Sequence, residues 1–307
     1  MKVAVVAHNG KTMGGGLKEL RGSLADNGFP EPIWSEVQKS RQAPKRIRAA
    51  ISAGAELIIA WGGDGMVQRC IDVLAGTDVA LAIMPAGTAN LLATNLGIPT
   101  DVSEAVQIAL HGVRHRIDVG KINGEHFAVM AGAGFDGVMI NETSTVAKER
   151  VGRLAYIRSS VKAMSAPRAN AAIRVNGEPW FTGSASCVLV GNVGTVLGGL
   201  KLFEAATPDD GVLDLGVVSA DGPVQWARVL GRVVVHGDVD HSPFVKTTQA
   251  VKVDVKFNKK VPWEIDGGAR GKTKRLKIRV MPQSVIVCVP SAAAKDDSRL
   301  STRSVSA

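Results

Sequence analysis

The sequence predicts an α/β domain with a parallel sheet, followed by a mainly antiparallel domain of β-sandwich or barrel-like type. Up to Asp118, apolar runs alternate with stretches of helical periodicity, which is the pattern of parallel strands joined by crossover helices. After Asp118, short apolar runs are separated by Gly, Asn and Pro turns, which is typical of antiparallel strands. The 307 residues are enough for two domains, each with its own core.

We place the first domain at residues 1–119, where strand and helix patterns alternate. Pro44 suits the first turn of a helix, and Gly28 lies where another helix ends. The predicted strands are 2–7, 32–37, 57–61 and 79–84. The predicted helices are 14–27, 44–53, 66–74, 90–96 and 102–111.

We place the second, β-rich domain at residues 120–290. Asn176-Gly177 is a hairpin signal, and a helix is expected at about residues 145–165. The serine- and alanine-rich residues 291–307 have no apolar period and are expected to be disordered. The predicted strands are 125–130, 171–175, 184–190, 212–218, 251–257 and 276–280.

The composition limits the classes of partner. Lys and Arg exceed Asp and Glu by nine charges, which favours anionic partners or simply keeps the protein in solution. Only 4% of the residues are aromatic, so we do not expect a nucleic-acid-binding protein that stacks bases. No apolar run approaches the length of a transmembrane helix. We expect a cytoplasmic protein, with peripheral contact at the inner membrane surface as an option.

Glycine-rich turns follow three of the predicted parallel strands. The strand at 57–61 leads into Gly62-Gly63-Asp64-Gly65, the next strand leads into residues 85–90, and the first strand leads into residues 8–16. Turns of this kind offer backbone N–H groups to phosphate, and neighbouring parallel strands end at the same edge of a sheet. The chain has neither the P-loop nor the dinucleotide fingerprint. The turns therefore indicate phosphoryl chemistry, with Asp64 as a metal or proton partner.

Six ordered motifs carry a resemblance to a known family. They are Gly62-Gly63-Asp64-Gly65, residues 85–99, Gly132-Ala133-Gly134-Phe135-Asp136, Gly191-Asn192-Val193-Gly194, residues 208–214 and Asp266-Gly267. Over about residues 1–290 the chain resembles the diacylglycerol kinase catalytic-domain family, soluble bacterial lipid kinases that share their glycine turn with NAD kinases. The resemblance implies transfer of phosphate from ATP to a lipid hydroxyl, usually diacylglycerol giving phosphatidic acid. It also implies that the first domain binds ATP and that the lipid lies in a cleft between the two domains.

The resemblance also implies site residues. Mg²⁺ would be held by the Asp210 carboxylate and the carbonyls of Thr207 and Val212, although this segment also reads as an acidic turn without metal. Asp64 is the first candidate for the base, or else a ligand of catalytic Mg²⁺. Asp266 is a second catalytic candidate, which could instead bond the nucleotide, brace a domain contact or simply be a turn aspartate before two glycines. The implied ATP contacts are Asn9, Gly10, Lys11, Thr12, Met13, Ser35, Gly62, Gly63, Asp64, Gly65, Met66, Val67, Gln68, Thr88 and Asn90.

Two departures from the family pattern leave the function open in part. Met66 stands where the family usually has Thr, and Gly268 stands where better-known members have the Glu proposed as base. Another carboxylate could replace that Glu, namely Asp64, Asp266 or Glu264. Alternatively the acceptor differs, for example a sphingoid lipid or NAD, or the protein binds nucleotide without turnover.

A lipid kinase without a membrane span must reach a bilayer from outside. The predicted helix at 145–165 carries apolar residues at helical spacing among basic residues such as Arg153 and Lys162. The stretch 246–279 is also rich in Lys and Arg, and its alternating charges fit the solvent faces of strands. A homodimer is compatible with the sequence.

Overall fold

The computed structural model describes residues 1–134, 168–196, 200–203, 205–236 and 242–291. The predicted helix at 145–165, residues Phe135 and Asp136 of the third motif, and residues 292–307 of the predicted tail lie outside these ranges. The described chain forms two units, Met1–Ile117 together with the chain from Ser284 onward, and Asp118–Gln283.

The first unit is an α/β layer structure. Its strands are β1 (Val3–His8), β2 (Ile33–Val37), β3 (Leu57–Gly62) and β4 (Ala80–Pro85). Its helices are α1 (Gly16–Asp26), α2 (Ala43–Ser52), α3 (Asp64–Leu74), α4 (Leu91–Asn95) and α5 (Val102–His111), with a 3₁₀ turn at Ser40–Gln42. The strands are parallel in the order β4-β3-β1-β2. These elements confirm the predicted parallel α/β domain.

The helices of this unit cover both faces of the sheet. Alternate strand residues such as Val5 and Ile59 share a core with Leu20 and Leu24 of α1 and with Val106 of α5. The helices α2 and α3 pack on each other, and their buried residues do not belong to that core. Both faces of the strands are therefore buried, which explains their continuous apolar runs.

The second unit is a mainly antiparallel β structure. Its strands begin with β5 (Val113–Ile122), which the unit boundary crosses, and continue with β6 (Glu125–Phe127), β7 (Met130–Ala133), β8 (Ala169–Val175), β9 (Glu178–Ala185), β10 (Cys187–Gly191), β11 (Thr195–Val196), β12 (Leu200–Lys201), β13 (Leu213–Val218), β14 (Val245–Ala250), β15 (Lys252–Ile265) and β16 (Gly268–Val289). A helix, α6 (Gly222–His236), lies between β13 and β14. Asn176 and Gly177 both have positive φ and join β8 to β9, as the hairpin signal predicted.

Several elements of this unit differ from the prediction. The predicted strand at 125–130 is two strands, β6 and β7, and β5, β9, β14 and α6 were missed. The end of β16 pairs in parallel with β4, Ile286 with Ala80 and Val287 with Leu81. Residues from 284 onward therefore group with the first unit, while the bounds 1–119 and 120–290 stay a prediction.

Candidate functional site

The candidate site begins at one edge of the first unit's sheet. The strands β1, β3 and β4 end at His8, Gly62 and Pro85, and their register pairs Ala7 with Trp61 and Gly62 with Pro85. The three glycine turns therefore leave the sheet at the same edge. The helix after β1 and the helix after β3 lie on opposite faces of the sheet. This edge is thus a topological switch point, where open α/β sheets bind ligands.

Two of the turns touch through glycines. A Cβ on Gly87 would lie 2.4 Å from the Cα of Gly63 and 2.5 Å from the Oδ1 of Asn90, and a Cβ on Gly63 would lie 3.0 Å from the Cα of Gly87. Side-chain carbons do not fit at the distances found for Gly87, so the contact requires glycine there, and a side chain at position 63 would require the Gly87 backbone to shift. The close approach leaves main-chain groups from two strand ends side by side.

Asp64 fastens the same two turns. It is the first residue of α3, and its Oδ1 accepts a hydrogen bond of 2.5 Å from the N–H of Leu91, the first residue of α4. Burial raises the pKa of the Asp64 carboxyl, and backbone N–H groups, that of Leu91 foremost, partly oppose the rise. The Asp64 carboxylate is therefore fixed in position beside the glycine contact and is more basic than an ordinary aspartate.

Asn90 shapes the turn after β4. It adopts the left-handed conformation, with φ 49° and ψ 47°, at the start of α4. Its Oδ1 accepts a hydrogen bond from the Gly87 N–H, and its Nδ2 donates to the carbonyls of Pro85 and Gly87. The Asn90 side chain is thus engaged within the turn itself, whereas Thr88 at the tip is exposed.

The first turn is joined to β3 through Trp61. The indole Nε1 of Trp61 donates a hydrogen bond of 2.9 Å to the carbonyl of Lys11. The side chain of His8 accepts a hydrogen bond from the Gly10 N–H, which bends the chain as it leaves β1. Asn9, Gly10, Lys11 and Thr12 are exposed, so this turn is accessible to a ligand.

Several side chains among the predicted ATP contacts point elsewhere. Met13, Met66, Val67 and Gln68 are buried, and the Gln68 Nε2 donates a hydrogen bond to Asp72 one turn along α3. The N–H groups of Met66 and Val67 are bonded to the Gly63 carbonyl. Within this stretch, contacts with a phosphate would therefore come from the main chain ahead of Met66, at the first residues of the helix.

Ser35 lies away from the turns. It pairs with Val6 in the middle of β2, two residues before the strand ends at Val37. Two residues of strand span about 6–7 Å. The structure therefore places Ser35 farther from the sheet edge than the three turns.

In the second unit, Asp266 braces a loop. Its Oδ1 accepts hydrogen bonds from the N–H groups of Val129 and Met130, and its Oδ2 accepts one from Ala128. Its own N–H donates to the Met130 carbonyl. Asp266 is buried and has positive φ, at 45°. These contacts favour the bracing role over proton transfer, because the amides stabilise the charged carboxylate.

Arginine fills the space beside Gly268. The Arg270 guanidinium donates hydrogen bonds to the Gly268 carbonyl and to the Glu125 carboxylate, at 2.9 and 2.8 Å. A Cβ on Gly268 would lie 2.7 Å from the Nη1 of Arg270 and 3.2 Å from the Ile265 carbonyl. A side chain at this position would require the guanidinium to move.

Glu264 is a buried carboxyl that the sequence offered only as one of several alternatives. It is 1% exposed, and among the described residues neither of its oxygens has a hydrogen-bond partner. Burial and the neighbouring Asp266 carboxylate raise its pKa to about 7, against the opposing charge of Arg270. In the sequence, Glu264 stands between two apolar residues, Trp263 and Ile265, which pack on the core or belong to it. This apolar setting is the sequence signal that could have indicated a buried carboxyl.

The predicted metal ligands lie in one turn. The Oδ1 of Asp210 accepts a hydrogen bond from the Val212 N–H, and its Oδ2 accepts one from the Thr207 hydroxyl. The sequence reasoning missed Asp118, a buried carboxylate in an apolar run that binds the N–H groups of Gly211 and Gln283.

The donor set of this turn fits Mg²⁺, since Asp210 is exposed and carboxylate and carbonyl oxygens suit a hard cation. It also fits a hydrogen-bonded turn without metal. The described part of the chain contains no cluster of three or more His, Cys, Asp or Glu side chains placed to bind a metal.

Comparison with known proteins identifies the family. Residues 5–122 match the family model described as "Diacylglycerol kinase catalytic domain", and residues 129–289 match "YegS C-terminal NAD kinase beta sandwich-like domain". The "Probable lipid kinase YegS-like" of Enterobacter sp. (strain 638) is 32% identical over 221 residues, which are 70% of this chain and 73% of that relative. The chain belongs to the diacylglycerol kinase catalytic-domain family.

Other relatives and solved structures agree with this family. The diacylglycerol kinase of Bacillus subtilis (strain 168) is 30% identical over 69% of this chain and 71% of its own. A crystal structure of a diacylglycerol kinase from Bacillus anthracis has a TM-score of 0.73 at 22% identity and covers 95% of this chain and 97% of that one. An NAD kinase from Archaeoglobus fulgidus in complex with ATP has a TM-score of 0.54 at 12% identity, covering 96% of each chain. These two structures show the fold, a parallel α/β part and an antiparallel sandwich-like part.

Within the described ranges of this lipid kinase family member, none of the helices combines the length and apolarity that a bilayer crossing requires.

Proposed function

We propose that this protein is an ATP-dependent lipid kinase that transfers the γ-phosphate of ATP to a lipid hydroxyl, with diacylglycerol as the acceptor and phosphatidic acid as the product. The family supports a kinase, and relatives named diacylglycerol kinase support this acceptor. The NAD kinase that shares the fold was solved with ATP, which supports ATP as the donor.

The observation that carries the proposal is the contact of Gly63 with Gly87, fastened by the bond from Leu91 to Asp64. It brings the main chains of two strand-end turns together at a switch point, the kind of place where glycine-rich turns bind phosphate. The exposed first turn, with Lys11 and Thr12, adds a cation and a hydroxyl from a third strand end. The Met66 side chain is buried against Gly62, so this position faces the protein and not the solvent at the edge.

In this proposal Asp64 orients the acceptor hydroxyl and takes its proton. Its raised pKa suits a base better than that of a fully solvated aspartate, and its fixed position is set by Leu91. Mg²⁺, when bound, would neutralise charge on the phosphates during transfer. The turn of Thr207, Asp210 and Val212 would hold a structural Mg²⁺ in the second unit, through oxygen donors only.

The second candidate is a protein that binds ATP without transferring phosphate. It is favoured by the region around Gly268, where Arg270 occupies the space beside a residue without a side chain. In addition, Asp266 is engaged by three amides, so it is poorly suited to replace a missing base. In this second candidate, the first unit still binds the nucleotide but the protein does not transfer phosphate.

An acceptor panel separates the candidates. Purified protein is incubated with labelled ATP, Mg²⁺ and, in separate reactions, diacylglycerol, a sphingoid base, total membrane lipid and NAD, with Asp64→Asn as the control. Label in phosphatidic acid that the variant does not produce supports the proposal. Heat of Mg·ATP binding without label in any acceptor supports the second candidate, and label in NAD alone overturns the lipid assignment.

A further inference from the structure

The outward face of three strands in the second unit concentrates positive charge. On β8, β15 and β16, residues such as Ile173, Val253 and Ile278 pack into the core, so the residues that alternate with them point away from it. Six exposed cations occupy these outward positions and are here called the basic face: Arg174, Lys252, Lys256, Arg275, Lys277 and Arg279.

The strand register places like charges opposite one another. Lys252 is paired with Arg279 across β15 and β16, and Lys256 is paired with Arg275. Like charges directly opposite in a sheet are destabilising. If this face only kept the protein in solution, a mixture of positive and negative side chains would serve equally well and would avoid the repulsion. The pairing of cations with cations therefore points to an anionic partner.

One carboxylate, Asp254, lies among these cations. It is paired with Lys277 in the register and accepts two hydrogen bonds from Arg275, of 2.9 and 2.8 Å. The hydrogen bond from Arg275 holds the pKa of Asp254 below its ordinary value, and the charges of Arg275, Lys277 and Lys256 add to this effect. Asp254 therefore offsets the charge of Arg275 and leaves the other cations for a partner.

The basic face also contains surface hollows of a size that suits small anionic groups. Two shallow hollows of about 280 and 570 Å³ share Lys252 and Asp254, and Asp254 is the single acid among the described residues that line them. Val251, 49% exposed, lies beside Lys252 at the strand end. No aromatic residue is among the described lining residues, which argues against base stacking.

We propose that the basic face docks this protein on anionic lipid bilayers, with the cations binding lipid phosphates and Val251 meeting the interface. Each Lys or Arg near an anionic membrane strengthens partitioning about fivefold. The inference rests on the proposed function only in that a lipid kinase must reach its acceptor in a bilayer. Docking itself requires neither ATP nor transfer.

The test compares two variants with the same change in net charge. Lys252→Gln/Lys277→Gln/Arg279→Gln alters the basic face, and Lys45→Gln/Arg46→Gln/Arg48→Gln alters exposed cations of α2. Both are mixed with vesicles of phosphatidylglycerol and phosphatidylcholine and with pure phosphatidylcholine vesicles. We expect the basic-face variant to lose about 100-fold in partitioning to anionic vesicles, with the α2 variant close to wild type and all three proteins weak on neutral vesicles.

Equal losses in both variants, or unchanged binding of the basic-face variant, would overturn the docking surface. A further arm uses duplex DNA and single-stranded RNA. Loss of nucleic-acid binding in the basic-face variant, with vesicle binding retained, would also overturn it. The kinase proposal is read separately, from transfer to diacylglycerol dispersed in detergent micelles, where the basic-face variant should match wild type. Absence of transfer by the wild-type protein there contradicts the kinase proposal and leaves the vesicle result to decide docking.

Discussion

In the first unit, the Asp64 carboxylate joins two glycine turns at an edge of the sheet, whereas in the second unit the Asp266 carboxylate is buried under three backbone amides of one loop. Both residues stand beside glycines in the sequence, and both were candidates for catalysis. Backbone N–H groups bond both carboxylates, so their donors do not separate them. Their positions do: Asp64 lies at the switch point where open α/β sheets bind ligands, whereas Asp266 braces a buried loop.

Glu264 sharpens the contrast, since it lies two residues before Asp266 and has no hydrogen-bond partner among the described residues. Burial without a partner favours the neutral form, so two neighbouring carboxyls of the second unit are driven toward opposite charge states. The four predictions that follow test this comparison.

The largest effect is expected for Asp64→Asn. The variant loses a base, so we expect the transfer rate of the folded protein to fall by about 10²–10⁴-fold. Its amide group would also face backbone N–H donors that now bond the carboxylate, so a modest loss of stability of about 1–2 kcal/mol accompanies the loss of rate. The measurement is the rate of label transfer to diacylglycerol. Asp78→Asn, which alters only an exposed ion pair with Arg116, is the control and should transfer at the wild-type rate. A similar loss in both variants would contradict the assignment of Asp64.

Glu264→Gln should change the pH dependence of stability. The pKa of Glu264 is raised from 4.5 to about 7 in the folded protein, so the native state binds the proton more tightly. The stabilisation that proton binding to Glu264 gives the folded protein is fully present below pH 4.5 and is lost as the pH rises to about 7. The loss amounts to about 3 kcal/mol.

Because glutamine does not ionise, the variant does not lose this stability as the pH rises. The free energy of unfolding of the variant minus that of wild type should therefore be larger at pH 8 than at pH 4.5. Urea unfolding at a series of pH values measures the difference. Glu178→Gln, at an exposed position on β9, should keep the wild-type slope. Parallel pH curves for wild type and Glu264→Gln would show that the pKa of Glu264 is the same in the folded and unfolded protein, and would contradict its rise on burial.

Gly87→Ala should disrupt the contact between the turns. The added methyl would lie 2.4 Å from the Gly63 Cα, and we expect a cost of about 2 kcal/mol together with loss of Mg·ATP binding. Calorimetry and thermal unfolding measure the two effects. Gly22→Ala, on α1 with no neighbour within 4 Å, should bind normally and be at least as stable. Normal ATP binding by Gly87→Ala would contradict the proposed cradle.

Asp266→Asn should cost about 1–2 kcal/mol, because an amide group would face N–H donors that now have an acceptor. The transfer rate of the folded variant, measured in the same diacylglycerol assay, should stay within a few-fold of wild type. A large loss of rate with unchanged melting temperature would instead assign Asp266 to catalysis and remove the distinction between the two units.

The sequence by itself determined the parallel α/β half, because its strands and helices carry local apolar periods and its glycine turns follow the strands directly. It also determined the hairpin at Asn176-Gly177, a local turn preference. It did not reveal β9, whose residues have little apolar alternation, or the return of β16 to β4, which depends on pairing between distant segments. The helix α6 was detectable, since Trp226 and Val229 have helical spacing and are buried.

Only the tertiary structure decided what the polar residues do. The bond of Asp64 to Leu91 joins residues 27 apart, and those of Asp266 to residues 128–130 span up to 138. The burial of Glu264 and Gln68, and the gathering of six cations on one face, likewise follow from strand register and packing. A side chain's type fixes which bonds it can make, but its role is set by the donors, acceptors and water that the fold places around it.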